Sequence, residues 1–273
     1  MKRIVTVQDI SCIGKCSLTV ALPIISACGV ETAVIPTAVL STHTAFSKFT
    51  FRDLSADMHG IIQHWKQENI TFDGMYTGYL GSVGQMDAVR ELITLFKTEK
   101  NFVLIDPVMG DNGKLYTGFD NDFAKKMAEL CGMADIIVPN ITEACSMLDE
   151  PYTECYDKAY IQYLLKKLTA LGAKKAVLTG VRLSADTIGV MAYDREKDTF
   201  FEYYRPCIPQ NFHGTGDVFA STLMGMLTKG ELLDNALKTA VDFTVTSIEK
   251  TIDDPDGAWY GVNFEAALPL LIQ

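Results

Sequence analysis

The segment that decides the fold reads Asn211-Phe212-His213-Gly214-Thr215-Gly216-Asp217, and it leads directly into an apolar stretch at residues 218–227. Apolar side chains in this stretch recur at helical spacing, at Phe219, Leu223, Met226 and Leu227. The pattern predicts a glycine turn that opens a helix. Two glycines around a threonine allow backbone N–H groups to converge, and the helix N-terminus adds partial positive charge. The turn therefore suits an anion such as a phosphate.

Asp217 follows this turn directly and allows two interpretations. A carboxylate in the first turn of a helix favours helix initiation, which alone would explain its presence. A carboxylate beside an anion site can also take a proton from an attacking hydroxyl while the site stabilises the transferred group. Short glycine motifs occur by chance, so this segment alone leaves both interpretations open.

The composition favours a globular protein that acts on a small molecule. The chain has 273 residues, of which 48% are hydrophobic, and no linker divides it, so we predict a single domain over residues 1–273. The net charge is −10 and the basic residues are scattered, which argues against nucleic acid or an anionic membrane as partner.

The N-terminus and the cysteines indicate a cytoplasmic protein. The first residues lack the apolar run of a signal peptide, and no window approaches the ~18 apolar residues of a membrane span. Seven cysteines at irregular spacing are typical of reduced thiols.

Strand-like and helix-like segments alternate along almost the whole chain. This alternation predicts an α/β fold of three layers, α/β/α, with a mainly parallel central sheet and helices on both faces. Residues 39–51 have no helical period and are expected to be extended, as a small flap. The predicted strands span residues 3–7, 31–36, 74–77, 102–106, 135–140 and 175–179, with a hairpin at 188–194 and 199–205; the predicted helices span 17–28, 54–65, 82–99, 122–131, 157–171, 232–250 and 262–271.

Polar residues end or closely follow several of these strands, where ligands bind in parallel sheets: Asp9, Tyr79, Asp106, Asn140, Glu143 and Thr179. Asp106, Asp111 and Glu143 would form a cluster of acidic oxygens suited to Mg²⁺ that bridges phosphates. Strand termination, turn formation and helix initiation are the structural alternatives for these three acids. Three motifs are absent from the sequence, namely Walker A, Gly-x-Gly-x-x-Gly after the first strand, and Gly-x-Ser-x-Gly. Dinucleotide-dependent oxidoreductases and serine hydrolases are therefore disfavoured.

Five motifs in this order resemble the pyridoxal kinase family of the ribokinase-like superfamily, and the likeness covers nearly the whole chain. They are Ser41-Thr42-His43-Thr44, Gly78-Tyr79-Leu80-Gly81-Ser82, Asp106-Pro107-Val108-Met109-Gly110-Asp111, Pro139-Asn140-Ile141-Thr142-Glu143 and Gly214-Thr215-Gly216-Asp217. Tyr116 follows the acidic loop as a tyrosine does in that family.

The resemblance implies ATP-dependent phosphorylation of the 5′-hydroxymethyl group of pyridoxal, pyridoxine or pyridoxamine, in vitamin B6 salvage. Asp217 would be the base, and a homodimer and a monovalent cation such as K⁺ are also implied. The remaining roles fall into four sets: the anion hole is formed by Gly214, Thr215 and Gly216; Mg²⁺ is organised by Asp106, Asp111 and Glu143; the nucleotide lies along Tyr116, Asn140, Thr179 and Thr215; and the pyridine ring is contacted or covered by Leu40, His43, Thr44 and Tyr79.

The sequence departs from the family at the end of the first strand. Family members commonly have Gln-Ser-His there, whereas this chain has Gln8-Asp9-Ile10, with Ser11 two residues after the expected serine. Our hypothesis is that Asp9 pairs with the 4′-amine of pyridoxamine or with the ring nitrogen. An acid at this position also keeps open a ribokinase-like kinase for a hydroxymethylpyrimidine or a sugar. A non-catalytic protein that binds a vitamer or a nucleotide is the alternative from another class.

Overall fold

The computed structural model describes residues 1–272 of the chain as alternating strands and helices. The strands are β1 (Arg3–Ser11), β2 (Glu31–Leu40), β3 (Phe51–Asp53), β4 (Gly74–Thr77), β5 (Phe102–Ile105), β6 (Gly110–Asp111), β7 (Lys114–Leu115), β8 (Ile136–Ile137), β9 (Lys175–Ser184), β10 (Thr187–Asp194) and β11 (Thr199–Pro206). The helices are α1 (Leu18–Ala27), α2 (Ser55–Gln67), α3 (Val83–Phe96), α4 (Asn121–Cys131), α5 (Ile141–Leu148), α6 (Lys158–Ala170), α7 (Thr215–Lys229) and α8 (Leu233–Ile252), followed by a 3₁₀ helix at Phe264–Leu270.

The chain divides into two compact units. The first comprises Met1–Gly78 and the segment from Ile208 onward, and the second comprises Tyr79–Cys207. The single domain expected from the sequence stays a prediction.

The first unit is built on a mainly parallel sheet with the strand order β4-β1-β2-β3. β1 pairs in parallel with β2 and β4, while the short β3 pairs antiparallel with β2. The β1–β2 register is interrupted between Gln8 and Ile10, so Asp9 lies at an irregularity inside the strand rather than after its end. α7 packs against α1 and α8. Its apolar residues surround most of the helix and are buried, as expected of a core helix.

In the second unit the strand order is β5-β8-β9-β10-β11. β5, β8 and β9 are parallel, and β10 pairs antiparallel with β9 and β11, which confirms the predicted hairpin. The strand predicted over residues 175–179 is longer than expected, because β9 continues to Ser184. Gly180 has φ +68° at a shift in the β9–β10 register, so this glycine forms a bulge instead of ending the strand. β8 is also shorter than predicted.

The mainly parallel α/β architecture with flanking helices is thus confirmed. β2 extends to Leu40 and β3 returns beside it, so only residues 41–50 of the predicted flap lack regular structure. All seven cysteines are free in the structure. Across residues 1–272, none of the helices combines the length and apolar character that crossing a bilayer requires.

Candidate active site

Asp217 lies in the first turn of α7, where the sequence predicted an anion-binding turn. Gly214 is the N-cap residue with φ +78°, and Val218 donates its amide hydrogen to the Gly214 carbonyl oxygen at 3.0 Å. The amides of Thr215, Gly216 and Asp217 precede this first helical bond, so the helix itself supplies no acceptors for them. Within residues 1–272, no side chain caps this helix at Gly214. The geometry suits an anion, and the predicted anion-hole role stays a prediction.

The carboxylate of Asp217 is held from the loop that joins β1 to α1. The Ser17 amide donates to Asp217 Oδ2 at 2.9 Å. The surrounding protein raises the pKa of Asp217 to about 6, mainly by desolvation, and the nearby negative charge of Asp9 acts in the same direction. A carboxylate with a pKa near 6 is ionised at neutral pH yet basic enough to accept a proton in catalysis.

Asp9 and Ser11, predicted to contact the substrate, lie together in the same unit as Asp217. Asp9 is buried and accepts a hydrogen bond from the Ser11 hydroxyl at 3.1 Å. Burial raises the pKa of Asp9, while hydrogen bonds from the Ser17 and Ser11 side chains oppose this shift. The structure therefore assembles two carboxylates with different predicted roles around Ser17.

His43 is surrounded by aromatic rings and by backbone groups. Its Nδ1 accepts from the Ala45 amide at 3.1 Å, so the Nε2–H donates to the Tyr260 carbonyl oxygen at 3.0 Å. Desolvation lowers its pKa, which favours the neutral ring. The rings of Phe46, Trp259 and His213 lie 5.0, 6.1 and 5.2 Å from it. Of the other predicted ring contacts in this unit, Leu40 is buried and Thr44 is exposed.

Sequence reasoning missed Ser17, Trp259 and Tyr260. Ser17 lies 200 residues from Asp217, and Tyr260 lies 217 residues from His43. No local pattern marks such partners, because the sheet topology decides which loops meet.

In the second unit, Asn140 and Glu143 form a capping box at the start of α5. Asn140 Oδ1 accepts from the Glu143 amide at 2.9 Å, and Glu143 Oε2 accepts from the Asn140 amide at 2.8 Å. The Asn140 Nδ2 donates to the Gly110 carbonyl oxygen at 2.8 Å, and Glu143 Oε1 accepts from the Met109 amide at 3.1 Å. These contacts fix the β6–β7 hairpin to the start of α5.

The role of Asp106, Asp111 and Glu143 toward Mg²⁺ stays a prediction. Within residues 1–272, no three His, Cys, Asp or Glu side chains are grouped so that they could hold a metal ion. Both oxygens of Glu143 accept backbone hydrogen bonds, and burial raises its pKa to about 8. Asp111 is exposed and its carboxylate accepts from the Asn112 amide, whereas Asp106 is buried. The capping and turn-forming alternatives thus describe Glu143 and Asp111 in this structure.

The remaining predicted residues of this unit, Tyr79, Tyr116 and Thr179, have different surroundings. Tyr79 packs against Phe119 with ring centroids 5.6 Å apart. Tyr116 is exposed. Thr179 forms a parallel β-bridge with Asn140, and its amide donates a hydrogen bond to the Pro139 carbonyl oxygen at 3.0 Å. Their roles toward a nucleotide or a pyridine ring stay predictions.

Glu143→Ala should destabilise the protein strongly. It leaves the Met109 and Asn140 amides without their acceptor in a buried position, so we expect a loss of about 2–4 kcal/mol in the free energy of unfolding. Urea denaturation measures this change in the free energy of unfolding. Ser146→Ala is the matched control on the same helix, because its hydroxyl only donates back to the Thr142 carbonyl oxygen. A loss for Glu143→Ala no larger than that of the control would contradict the capping interpretation.

The chain is similar to known small-molecule kinases over its whole length. The family model described as phosphomethylpyrimidine kinase matches residues 22–259. A Bacteroides thetaiotaomicron protein provisionally described as a phosphomethylpyrimidine kinase, in a crystal form with pyridoxal, is 37% identical; the match covers 100% of this chain and 96% of that one, with a TM-score of 0.95. Pyridoxal kinase from Lactobacillus plantarum is 31% identical, with 100% and 97% covered and a TM-score of 0.91. Hydroxymethylpyrimidine/phosphomethylpyrimidine kinase from Aquifex aeolicus is 27% identical over 187 residues, which are 67% of this chain and 70% of the relative.

Proposed function

Because the chain belongs to the phosphomethylpyrimidine kinase family, we propose that it transfers the γ-phosphate of ATP to the 5′-hydroxyl of pyridoxal, pyridoxamine or pyridoxine. The resemblance to pyridoxal kinases found in the sequence is confirmed by the 31% identical pyridoxal kinase. The observation that carries the proposal is Asp217, a carboxylate with a pKa of about 6 beside the open amides of a helix N-terminus.

The chain's own residues can accept the proton of the attacking hydroxyl and stabilise the negative charge on the transferred phosphoryl group. A hydroxyl is too weak an acid to ionise unaided at neutral pH, so Asp217 takes its proton as the oxygen attacks the γ-phosphorus and the bond to ADP breaks. The amides of Thr215 and Gly216 donate to the oxygens of the phosphoryl group, whose charge they stabilise because they are already oriented. Positioning and electrostatics thereby supply the catalysis.

Vitamin B6 is favoured over the other substrates by the solved relatives. A 37% identical protein has been crystallised with pyridoxal, and a 31% identical one is a pyridoxal kinase. Kinases for hydroxymethylpyrimidine remain the second candidate, because a relative of that activity matches two thirds of the chain and because Asp9 offers a carboxylate for an amino group.

We also propose Mg²⁺ as a cofactor. Mg²⁺ keeps several waters and needs only one or two carboxylates when phosphates supply other oxygens, so the absence of a three-ligand group from residues 1–272 is compatible with it. Asp106, Asp111 and Glu143 are the carboxylates proposed to organise the ion and its waters. When bound, it would neutralise charge on the nucleotide phosphates. A monovalent cation and a homodimer belong to the same proposal and rest on the family resemblance. The cytoplasmic location expected from the sequence is proposed as well.

The direct test is ATP consumption with Mg²⁺ against a panel of B6 vitamers, hydroxymethylpyrimidine and simple sugars. The expected result is turnover with at least one vitamer and a kcat/KM for it above that for every other compound. Preference for hydroxymethylpyrimidine would support the second candidate. Binding of a vitamer without turnover of any compound would establish the non-catalytic alternative instead.

Asp9→Ser should change the preference among the vitamers. If Asp9 pairs with the 4′-amine, its loss should lower kcat/KM for pyridoxamine by about 10-fold or more relative to pyridoxal, as expected for a buried charged partner. Separate steady-state kinetics on the three vitamers measure this. An equal effect on all three would exclude pairing with the 4′-amine.

A further inference from the structure

Ser17 has a backbone conformation that an L residue rarely adopts. It immediately precedes α1 with φ 50° and ψ −132°, and Lys15 two residues earlier also has a positive φ of 44°. Glycine reaches this region without steric cost, whereas a serine is strained there. Strain of this kind persists only where the surrounding structure holds it, and it concentrates at functional sites.

Both polar groups of Ser17 contact carboxylates of the candidate active site. Its amide donates to Asp217 Oδ2 at 2.9 Å. Its side chain lies on the side of Asp9 and lowers the pKa of that carboxyl, against the effect of burial. Asp9 comes from β1 and Asp217 from α7, so a single residue connects two elements that are far apart in the chain. Ser17 itself is buried, and its bond to Asp217 is partly buried.

The ordinary reason for a serine at this position does not apply. A serine before a helix usually accepts a hydrogen bond from the second or third amide of that helix. Within residues 1–272, no such side-chain bond caps α1. The chain thus gives up both a relaxed backbone and a helix cap at one residue.

We infer that Ser17 is a positioning residue that holds Asp217 by its amide and Asp9 by its hydroxyl in one fixed arrangement. The inference rests on the proposed function, which gives these carboxylates their roles as base and substrate contact. Other titratable side chains near this turn are those of Cys16, Lys15 and His213. Burial and the two carboxylates raise the pKa of Cys16 to about 12, so its thiol stays neutral, and the Lys15 ammonium is bound by Asn263 and Glu265.

Two substitutions separate the two contacts. Ser17→Ala removes the hydroxyl but keeps the amide and the strained backbone, so KM for the vitamer should rise several-fold with the acidic limb of the pH profile unchanged. Ser17→Gly also frees the backbone, so the amide is no longer held at Asp217. This variant should raise KM similarly. It should also weaken the acid dissociation of Asp217 about tenfold, because the hydrogen bond from the residue-17 amide, which favours the ionised carboxylate, is lost.

Thermal stability and a carboxyl ¹³C titration of Asp217 complete the test. Ser17→Gly should be at least as stable as the wild type, since strain is relieved. Asn69→Gly is the matched control, an exposed residue with φ 56° after α2, and it should alter stability only. Unchanged KM and an unchanged titration in Ser17→Gly would overturn the inference. If the wild type phosphorylates no vitamer, the proposed function fails, and the titration still decides whether Ser17 positions Asp217.

Discussion

Asp217→Asn should lower kcat by about 10²–10⁴-fold, the contribution typical of a positioned general base, while the protein becomes more stable. Asparagine keeps the shape of the side chain and an oxygen that can accept from the Ser17 amide. It cannot take the proton of the attacking hydroxyl. The measurements are steady-state kinetics at saturating ATP and vitamer, together with urea denaturation.

The gain in stability follows from the raised pKa. A folded pKa of about 6, above the ordinary aspartate value of 3.8, means that folding favours the protonated form. The native state is therefore penalised above pH 6, by at most about 3 kcal/mol, and the penalty disappears as the pH falls below 3.8. The neutral amide of the Asp217→Asn variant would carry no such penalty and no repulsion from Asp9.

Because of the same raised pKa, kcat/KM of the wild type should fall as the pH drops through about 6, when the base becomes protonated.

Asp234→Asn is the matched control, because Asp234 is an exposed carboxylate in the first turn of α8. A carboxylate that only initiates a helix stabilises it by about 0.3–1 kcal/mol, so this variant should lose that much stability and keep its kcat. The helix-starting interpretation of Asp217 predicts the same behaviour for Asp217→Asn. Similar results from the two variants would therefore remove Asp217 from the mechanism.

The part of the fold that the sequence predicts well depends on local periodicity. α7 and the hairpin of β10 and β11 match the prediction, and β4 matches it residue for residue, because apolar spacing and turn residues determine these elements. The errors lie where tertiary pairing overrides the local signal. β9 continues past Gly180 because β10 pairs with it from Lys175 to Ser184. β8 is short because it pairs with its parallel neighbours β5 and β9 at two residues only.

The candidate site shows the same division between features with a local sequence signal and features set by tertiary contacts. Asp217 and its glycine turn are visible in the sequence because they are contiguous. Ser17 is not visible, because a positive φ at a serine leaves no pattern and its partner lies 200 residues away. Glu143 shows the opposite case. Its position just after a predicted strand supported a metal-ligand interpretation as well as helix initiation, and only the structure reveals that both of its oxygens accept hydrogen bonds from backbone amides.

Gly214→Ala and Gly216→Ala should separate the architecture of the turn from its binding of an anion. Gly214 has φ +78°, and a methyl group there would lie 2.2 Å from the Lys15 carbonyl oxygen. The substitution combines a left-handed backbone with a clash against main chain, so we expect a loss of more than about 2 kcal/mol in stability. The β1–α1 loop that carries the Ser17 amide must also move, so kcat should fall with it.

Gly216 differs because its φ is not positive. Apart from its chain neighbours and the backbone of its own helix, a methyl group there would meet no heavy atom of residues 1–272 within 4 Å. Alanine is the better helix former, so Gly216→Ala should leave stability unchanged or raise it by up to about 1 kcal/mol. The open space beside Gly216 is where a phosphoryl group must approach the amides, so the methyl group should lower kcat/KM by about 10-fold or more, a loss of roughly 1.4 kcal/mol in transition-state binding. Thermal denaturation and kinetics on the two variants give the comparison. A stable Gly216→Ala enzyme with wild-type kinetics would mean that no anion binds at this turn, since the new methyl group would stand where the phosphoryl oxygens have to lie.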